Sequence, residues 1–245
     1  MCHHPGIESF RTSMGRIGAF LPVMPGAVPV DDQRVAVRRL EEAGYGCAWS
    51  NEIVGKDVFV QLGILLAATE KMIFGTCIAN MWARPPQTAA AASAQLADAY
   101  PGRFVLGLGV GFPQQAESVG RDFGQPLATA RSYLEAVGHD PAYPRLLGAM
   151  GPKMVALAGE AADGALPAGV DPASTAATRR ALGPDRLLVT YLDASGDPSE
   201  VLDVTKAHLQ AGADHVIMGS VLGADFAAHI EVLVGLSPVL ADLAA

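Results

Sequence analysis

Pro101-Gly102-Arg103-Phe104-Val105-Leu106-Gly107-Leu108-Gly109-Val110-Gly111 reads as a short apolar strand, entered through a glycine and studded with glycines two residues apart. Side chains alternate between the faces of a strand, so Gly107, Gly109 and Gly111 bare one face to another backbone or a planar ligand. The spacing is GxGxG, the place for a third glycine of a dinucleotide fingerprint holds Phe112, and no helix cap follows at once. The stretch is therefore a glycine-lined strand and not a dinucleotide loop.

The same strand-then-helix alternation continues on both sides. Apolar runs at residues 16–21, 47–51, 72–79, 104–109, 145–149, 164–166, 187–192 and 215–218 read as strands. Segments of helical period at residues 31–43, 58–68, 86–100, 128–137, 152–162, 172–182, 199–211 and 225–233 fall between and after them. Pro86, Pro152, Pro172 and Pro198 stand at helix starts, where a missing N–H costs nothing. Asp31 and Asp32 read as caps of the first helix, Gly44 as its stop, and Val35, Leu40 and Ala43 as its inward face. Eight units fill 245 residues with nothing to spare, which favours a single compact α/β domain, a (β/α)8 TIM barrel, over a doubly wound sheet. Residues 1–14 read as a flexible leader and 15–245 as the barrel.

With half the residues hydrophobic and 17% charged, the chain is globular and not a solvated tail. A net charge of -8 without a run of Lys or Arg points away from nucleic acid and from a polybasic membrane anchor, and toward a small-molecule substrate. The run at residues 58–68 is broken by Gln61 and Gly63, and the expectation is that no apolar stretch approaches a membrane span. No secretory signal is read in the first residues, and three cysteines suit a reducing cytoplasm. Cys2, His3 and His4 have no further ligand cluster to join, so no metal site is expected.

A barrel of this kind carries its chemistry on the loops after the strands. Phe20 ends the first strand; Asn51 and Glu52 end the second. Glu52 reads either as a proton donor or hydrogen-bond acceptor for a heteroaromatic ring, or as a loop cap or partner of Lys56. The third strand leads through Cys77 to Trp82 and Arg84, a mixture suited to a flat anionic ligand, although Arg84 also fits an ordinary helix start. Gly151, Pro152, Lys153 and Met154 open a helix directly after the fifth strand, where free N–H groups can bind phosphate.

Taken together, Phe74-Gly75-Thr76 with Arg84-Pro85-Pro86, the stretch from Gly102 to Gly111, Gly151 to Glu160 with Ala162-Asp163-Gly164, and Ala211 to Val216 resemble the bacterial luciferase-like monooxygenase superfamily, in its F420-dependent oxidoreductase branch. The resemblance implies hydride transfer between the deazaflavin coenzyme F420 and a small organic substrate. An FMN-dependent monooxygenase or a cofactor-free paralogue are the alternatives. It places the ring across the barrel mouth against Thr76, Cys77 and Ile78, with a non-proline cis peptide near Cys77-Ile78. It assigns Gly109, Gly111 and Gln115 to the ring edge and residues 151–154 to the phosphate. Glu52 takes the position where relatives place an acid or a histidine near the reacting ring, with Phe20, Asn51, Trp82 and Arg84 around the substrate. A homodimer through the small-residue helices, as at Ala89-Ala90-Ala91-Ala92, is also implied. Two departures stand out: the segment after the seventh strand is short, and Phe112 replaces a glutamate that some relatives carry.

Overall fold

The computed structural model describes residues 6–220 and 224–244, so the Cys2, His3 and His4 reading lies outside the described residues. The strands are β1 (Ile17–Phe20), β2 (Cys47–Ser50), β3 (Ile73–Thr76), β4 (Ala79–Asn80), β5 (Phe104–Gly109), β6 (Arg145–Gly148), β7 (Gly164–Leu166), β8 (Leu187–Asp193) and β9 (His215–Gly219). All pair in parallel; β9 returns to β1 and β5 pairs with both β3 and β4, so the ring closes with β3 and β4 as two halves of one barrel strand. The eight-unit reading thus holds, with the third strand broken where the sequence suggested continuity.

The helices are α1 (Ile7–Met14), α2 (Val30–Glu42), α3 (Val58–Leu66), α4 (Pro86–Ala99), α5 (Pro113–Glu117), α6 (Pro126–Val137), α7 (Pro152–Ala161), α8 (Pro172–Leu182), α9 (Pro198–Gln210) and α10 (Phe226–Ala244). Proline occupies the first position of α4 to α9, and Asp57, Asp171 and Asp197 cap α3, α8 and α9 by accepting from first-turn N–H groups. At α2 the cap is Pro29, leaving Asp31 and Asp32 in the first turn as favourable charge; Gln33, Ala36, Val37 and Leu40 face inward, while Val35 is exposed.

The buried side chains form two sets. One lies between the sheet and its helices; the other fills the barrel interior with Cys47, Trp49, Ile73, Val105, Leu146, Leu187, Val189 and Ile217. Trp49 crosses that interior because two strands yield space: a Cβ on Gly75 would lie 2.2 Å from its ring and one on Gly18 2.9 Å from its Nε1. Its indole N–H donates to His215 Nε2 (2.9 Å), so the proton of this imidazole is on Nδ1, which donates to Gly15 O (2.8 Å). Burial lowers the His215 pKa to about 4, and the bond to Gly15 opposes that only in part.

Two expectations are corrected here. Residues 7–14 of the supposed leader are helical, and Phe10 and Met14 are buried in the interior set, closing the base of the barrel. Arg11 fastens α1 by donating to Pro184 O (3.2 Å) and pairing with Asp214 (3.1 Å). The second concerns α10, where residues 226–243 average a hydropathy of 1.5, so one stretch does reach membrane-spanning length and composition. Its apolarity is used in packing: Phe226, Ile230, Leu233, Leu236 and Leu240 are buried at helical spacing, and Tyr45 donates to Leu233 O (2.8 Å). After β8 the chain reaches α9 across residues 194–197, the short segment that the sequence indicated.

Candidate active site

The end of β2 decides which acids and amides face the mouth. Trp49 points into the barrel, Ser50 outward to Gln61 on α3, and the ladder continues as Cys77 N donates to Ser50 O (2.7 Å) and Glu52 N to Ile78 O (3.1 Å). Alternation then turns Asn51 inward and Glu52 outward. The Glu52 carboxylate, 4% exposed, accepts from Asn80 N (2.8 Å), Val58 N (3.3 Å), Arg84 Nη1 (2.8 Å) and Arg84 Nη2. Arg84 also pairs with Asp57 (3.1 Å) and lies 4.6 Å from the centre of the Phe59 ring. Burial pulls the guanidinium pKa down, but the two carboxylates more than offset this and leave it raised. The expected roles of both residues are therefore revised: Glu52 has no free lone pair aimed at the mouth, and Arg84 is committed to protein carboxylates and not to a ligand anion. The face that each of these side chains takes is set by strand parity.

Between β3 and β4 the chain bulges, and Cys77–Ile78 is a non-proline cis peptide at the expected bond. The glycines of β5 fit this bulge. A Cβ on Gly107 would lie 2.0 Å from Thr76 O, and one on Gly109 would lie 3.0 Å from Ile78 Cδ1. The Thr76 hydroxyl donates to Gly107 O (2.6 Å) and accepts from Gly107 N (2.8 Å), so Thr76 joins β3 to β5 and is buried away from any ligand. Gly111, at a φ of 56°, leaves room for the Gln115 side chain, which accepts from Phe112 N (2.9 Å) and donates to Glu52 O (3.3 Å). The bare strand face thus receives the neighbouring bulge and Gln115; Cys77 and Ile78 remain half-buried. Burial raises the Cys77 thiol to about 12, which rules against a thiolate there at neutral pH.

Across the mouth, Phe20 and Tyr191 meet edge to face with centroids 5.3 Å apart. The Tyr191 hydroxyl donates to Ser220 O (2.7 Å) and accepts from Ser220 N (2.9 Å), and its ring occupies the space a Cβ on Gly219 would need. Burial raises this phenol to about 12. Sequence reading missed Tyr191; its signal is an aromatic residue two positions beyond Val189 on an inward-facing strand, beside a glycine. Trp82 is buried, its indole donating to Val110 O (2.7 Å), so it supports the rim from behind. At the start of α7, Gly151 is the N-cap with no side-chain cap, nothing lies within 4 Å of its would-be Cβ, and Pro152 and Lys153 are exposed. Met150 beside it is 70% exposed, held by Ala168 N donating to its sulfur (3.4 Å).

A cleft of about 280 Å³ lies behind the rim, lined by Glu52, Asp57, Asn80, Arg84 and Gln115. Grooves of about 430 and 500 Å³ run between α2 and α10 and between α2 and α3, on the helix shell and not over the mouth. Among the described residues no cluster suited to a metal ion is present.

These observations define a closed parallel (β/α)8 barrel with a bulged third strand and a helix N-terminus open at its mouth. The chain belongs to the luciferase-like monooxygenase family, whose sequence pattern matches residues 14–139. It is 31% identical over 181 residues, 58% of its length and 52% of the relative's, to a Mycobacterium tuberculosis protein named as a coenzyme F420-dependent oxidoreductase. Among solved structures, an F420-dependent secondary alcohol dehydrogenase in complex with an F420-acetone adduct aligns with a TM-score of 0.74 and 16% identity, over 92% of this chain and 99% of that one. The oxygenating constituent of a Pseudomonas putida 3,6-diketocamphane monooxygenase, in complex with FMN, aligns with a TM-score of 0.71 and 11% identity, over 94% and 98%. The chain spans about half the length of the curated relatives it matches.

Proposed function

We propose that this chain is an oxidoreductase using coenzyme F420 to exchange a hydride with a small organic substrate in the cytoplasm, without nucleic-acid or membrane partners. The observation that carries the reading is the uncapped start of α7 at the mouth, beside the bulge, in a chain whose curated relative is named for F420. The fit is physical: Gly151 leaves open space, Lys153 has its charge in solvent, and of the first turn Pro152 has no N–H and Met154 N is taken by Gly151 O, so the N–H of Lys153 is the one left for an anion, with the helix dipole behind it. When bound, F420 supplies the carbon that accepts or gives the hydride. The chain's own residues would orient and shield: Cys77 and Ile78 beneath the ring, with Gly109 behind Ile78 and Gly111 behind Gln115, Phe20 and Tyr191 beside the substrate, and residues 151–154 on the phosphate. In this reading Glu52, Arg84, Thr76, Gln115 and Trp82 hold the shape of the rim, and no proton is assigned to them.

FMN is the second reading, favoured by one feature. The α7 start offers one phosphate-sized anchor, while a net charge of -8 opposes the long acidic tail of F420. Fluorescence-quenching titrations of the purified protein decide: F420 binding at roughly tens of micromolar or tighter, with FMN weaker, supports the proposal, and the reverse order selects FMN. Binding of neither removes both and leaves a cofactor-free paralogue. We also infer a homodimer through the α3–α4 side, where Ala90 and Ala94 stay half-exposed while Ala89, Ser93 and Ala97 face the barrel. A monomer in sedimentation analysis would overturn that assembly.

A further inference from the structure

Lys56 heads a one-way chain of hydrogen bonds at the end of β2. Its ammonium donates to Val23 O (3.1 Å), Ser50 Oγ (3.2 Å) and Asn51 Oδ1 (2.8 Å), which uses all three of its hydrogens. From Ser50 the chain runs on: the hydroxyl donates to Gln61 Oε1 (2.8 Å), Gln61 Nε2 to Gln33 Oε1 (3.0 Å), and Gln33 Nε2 to Val28 O (3.0 Å). An ammonium only donates and a main-chain carbonyl only accepts, so both ends impose the same direction. Turning any one amide around would set like against like, donor facing donor or acceptor facing acceptor, and leave a hydrogen bond unmade.

Asn51, one residue past the end of β2, is the other branch of this chain. Because Lys56 holds Oδ1, the two Nδ2 hydrogens are turned away from the ammonium, and no described residue accepts them. Strand parity puts Asn51 on the face of Trp49, the inward one, while its neighbours Ser50 and Glu52 are taken up on the helix side. A half-buried donor of fixed orientation at a barrel mouth suits a ligand acceptor, and the carbonyl oxygens of a flavin-type pyrimidine ring are of that kind.

We propose that Lys56 is a positioning residue that fixes Asn51 as a hydrogen-bond donor to a carbonyl oxygen of the ring bound in the mouth. The inference rests on the cofactor reading above and adds the atom by which the ring is recognised. Neither Lys56 nor Asn51 touches the reacting carbon in this assignment.

Three proteins test it: wild type, N51D and K56M, each titrated with F420 and with FMN by fluorescence quenching, with melting temperatures recorded alongside. N51D keeps the size of the side chain and an oxygen for Lys56 but replaces the donor with an acceptor. It is expected to weaken whichever cofactor the wild type binds by roughly tenfold or more, with the melting temperature within a few degrees of wild type. K56M is expected to weaken it by roughly threefold or more, since the amide loses its anchor. In the free protein, the Asn51 side-chain amide signals, assigned by their loss in N51D, are expected to move in K56M. N51D or K56M binding the cofactor as tightly as wild type overturns the inference and leaves the cofactor reading standing. Unmoved Asn51 signals in K56M overturn the positioning role without any ligand. Wild type that binds neither cofactor removes both the inference and the reading beneath it.

Discussion

On the β2–β5 side of the mouth the polar side chains Glu52, Arg84, Thr76 and Gln115 are spent on protein partners, whereas on the β6–α7 side Met150, Pro152 and Lys153 stand in solvent beside an open Gly151. The two sides differ in what they can afford to lose. A saturated wall transmits any deletion as a buried unpaired group, while an exposed rim can change its side chains and keep the fold. The first side, Asn51 apart, therefore sets the shape of the mouth, and the second is free to meet a ligand.

The strongest way to break this comparison is Arg84→Ala. It leaves the Glu52 carboxylate buried without its counter-charge, and about 3–5 kcal/mol of stability should be lost in urea unfolding. A second Glu52→Gln change should restore part of that loss, because the stranded charge is then gone. If Arg84→Ala unfolds at the wild-type midpoint, the wall is not held as described.

Next comes acid. The folded pKa of His215 is about 4, below the ordinary value of about 6.5 for an unfolded histidine. Between these values the unfolded chain binds the extra proton, so the stabilisation is complete above about pH 6.5 and is lost as pH falls toward 4, by about 3 kcal/mol. His208 and His229 are also lowered by burial and act in the same direction. Urea midpoints at pH 7, 5.5 and 4.5 should show the loss, and His215→Gln, which can still donate to Gly15 and accept from Trp49, should flatten it.

On the exposed side the effects are smaller and of another kind. Lys153→Ala should weaken the phosphate-bearing cofactor by roughly threefold to tenfold and leave the melting curve in place, which equilibrium titration beside thermal unfolding would check. Met150→Ser should shift stability by no more than about 0.5 kcal/mol, since the side chain is 70% exposed. A large loss of stability from either change would erase the distinction between the two sides.

The eight units were legible because each strand is a short apolar run and six of the helices open on proline, signals that act locally. The identities of Glu52, Arg84 and Asn51 as residues of the rim were legible too, from their place after strands. What composition could not supply was their facing: parity at the end of β2 sends Glu52 out and Asn51 in, and the bulge at Cys77–Ile78 resets the count for the residues after it. The glycines of β5 were correctly read as a bare face, yet what lies against them comes from a strand some 30 residues earlier, which no local pattern reveals. The helical order of residues 7–14 was hidden for the same reason, since its stabilising partners are interior side chains from across the barrel.

The plug at the base also governs the order in which the molecule can be completed. His215 bonds to Gly15 across 200 residues of sequence, and Arg11 reaches Pro184 across 173. α1 is thus synthesised well before the strands that receive it and is seated after them. Contacts of such separation slow the search for the native state. Until β8 and β9 close the ring, Phe10 and Met14 have no complete interior to enter, and a growing chain carries them as apolar surface open to chaperones or to other chains.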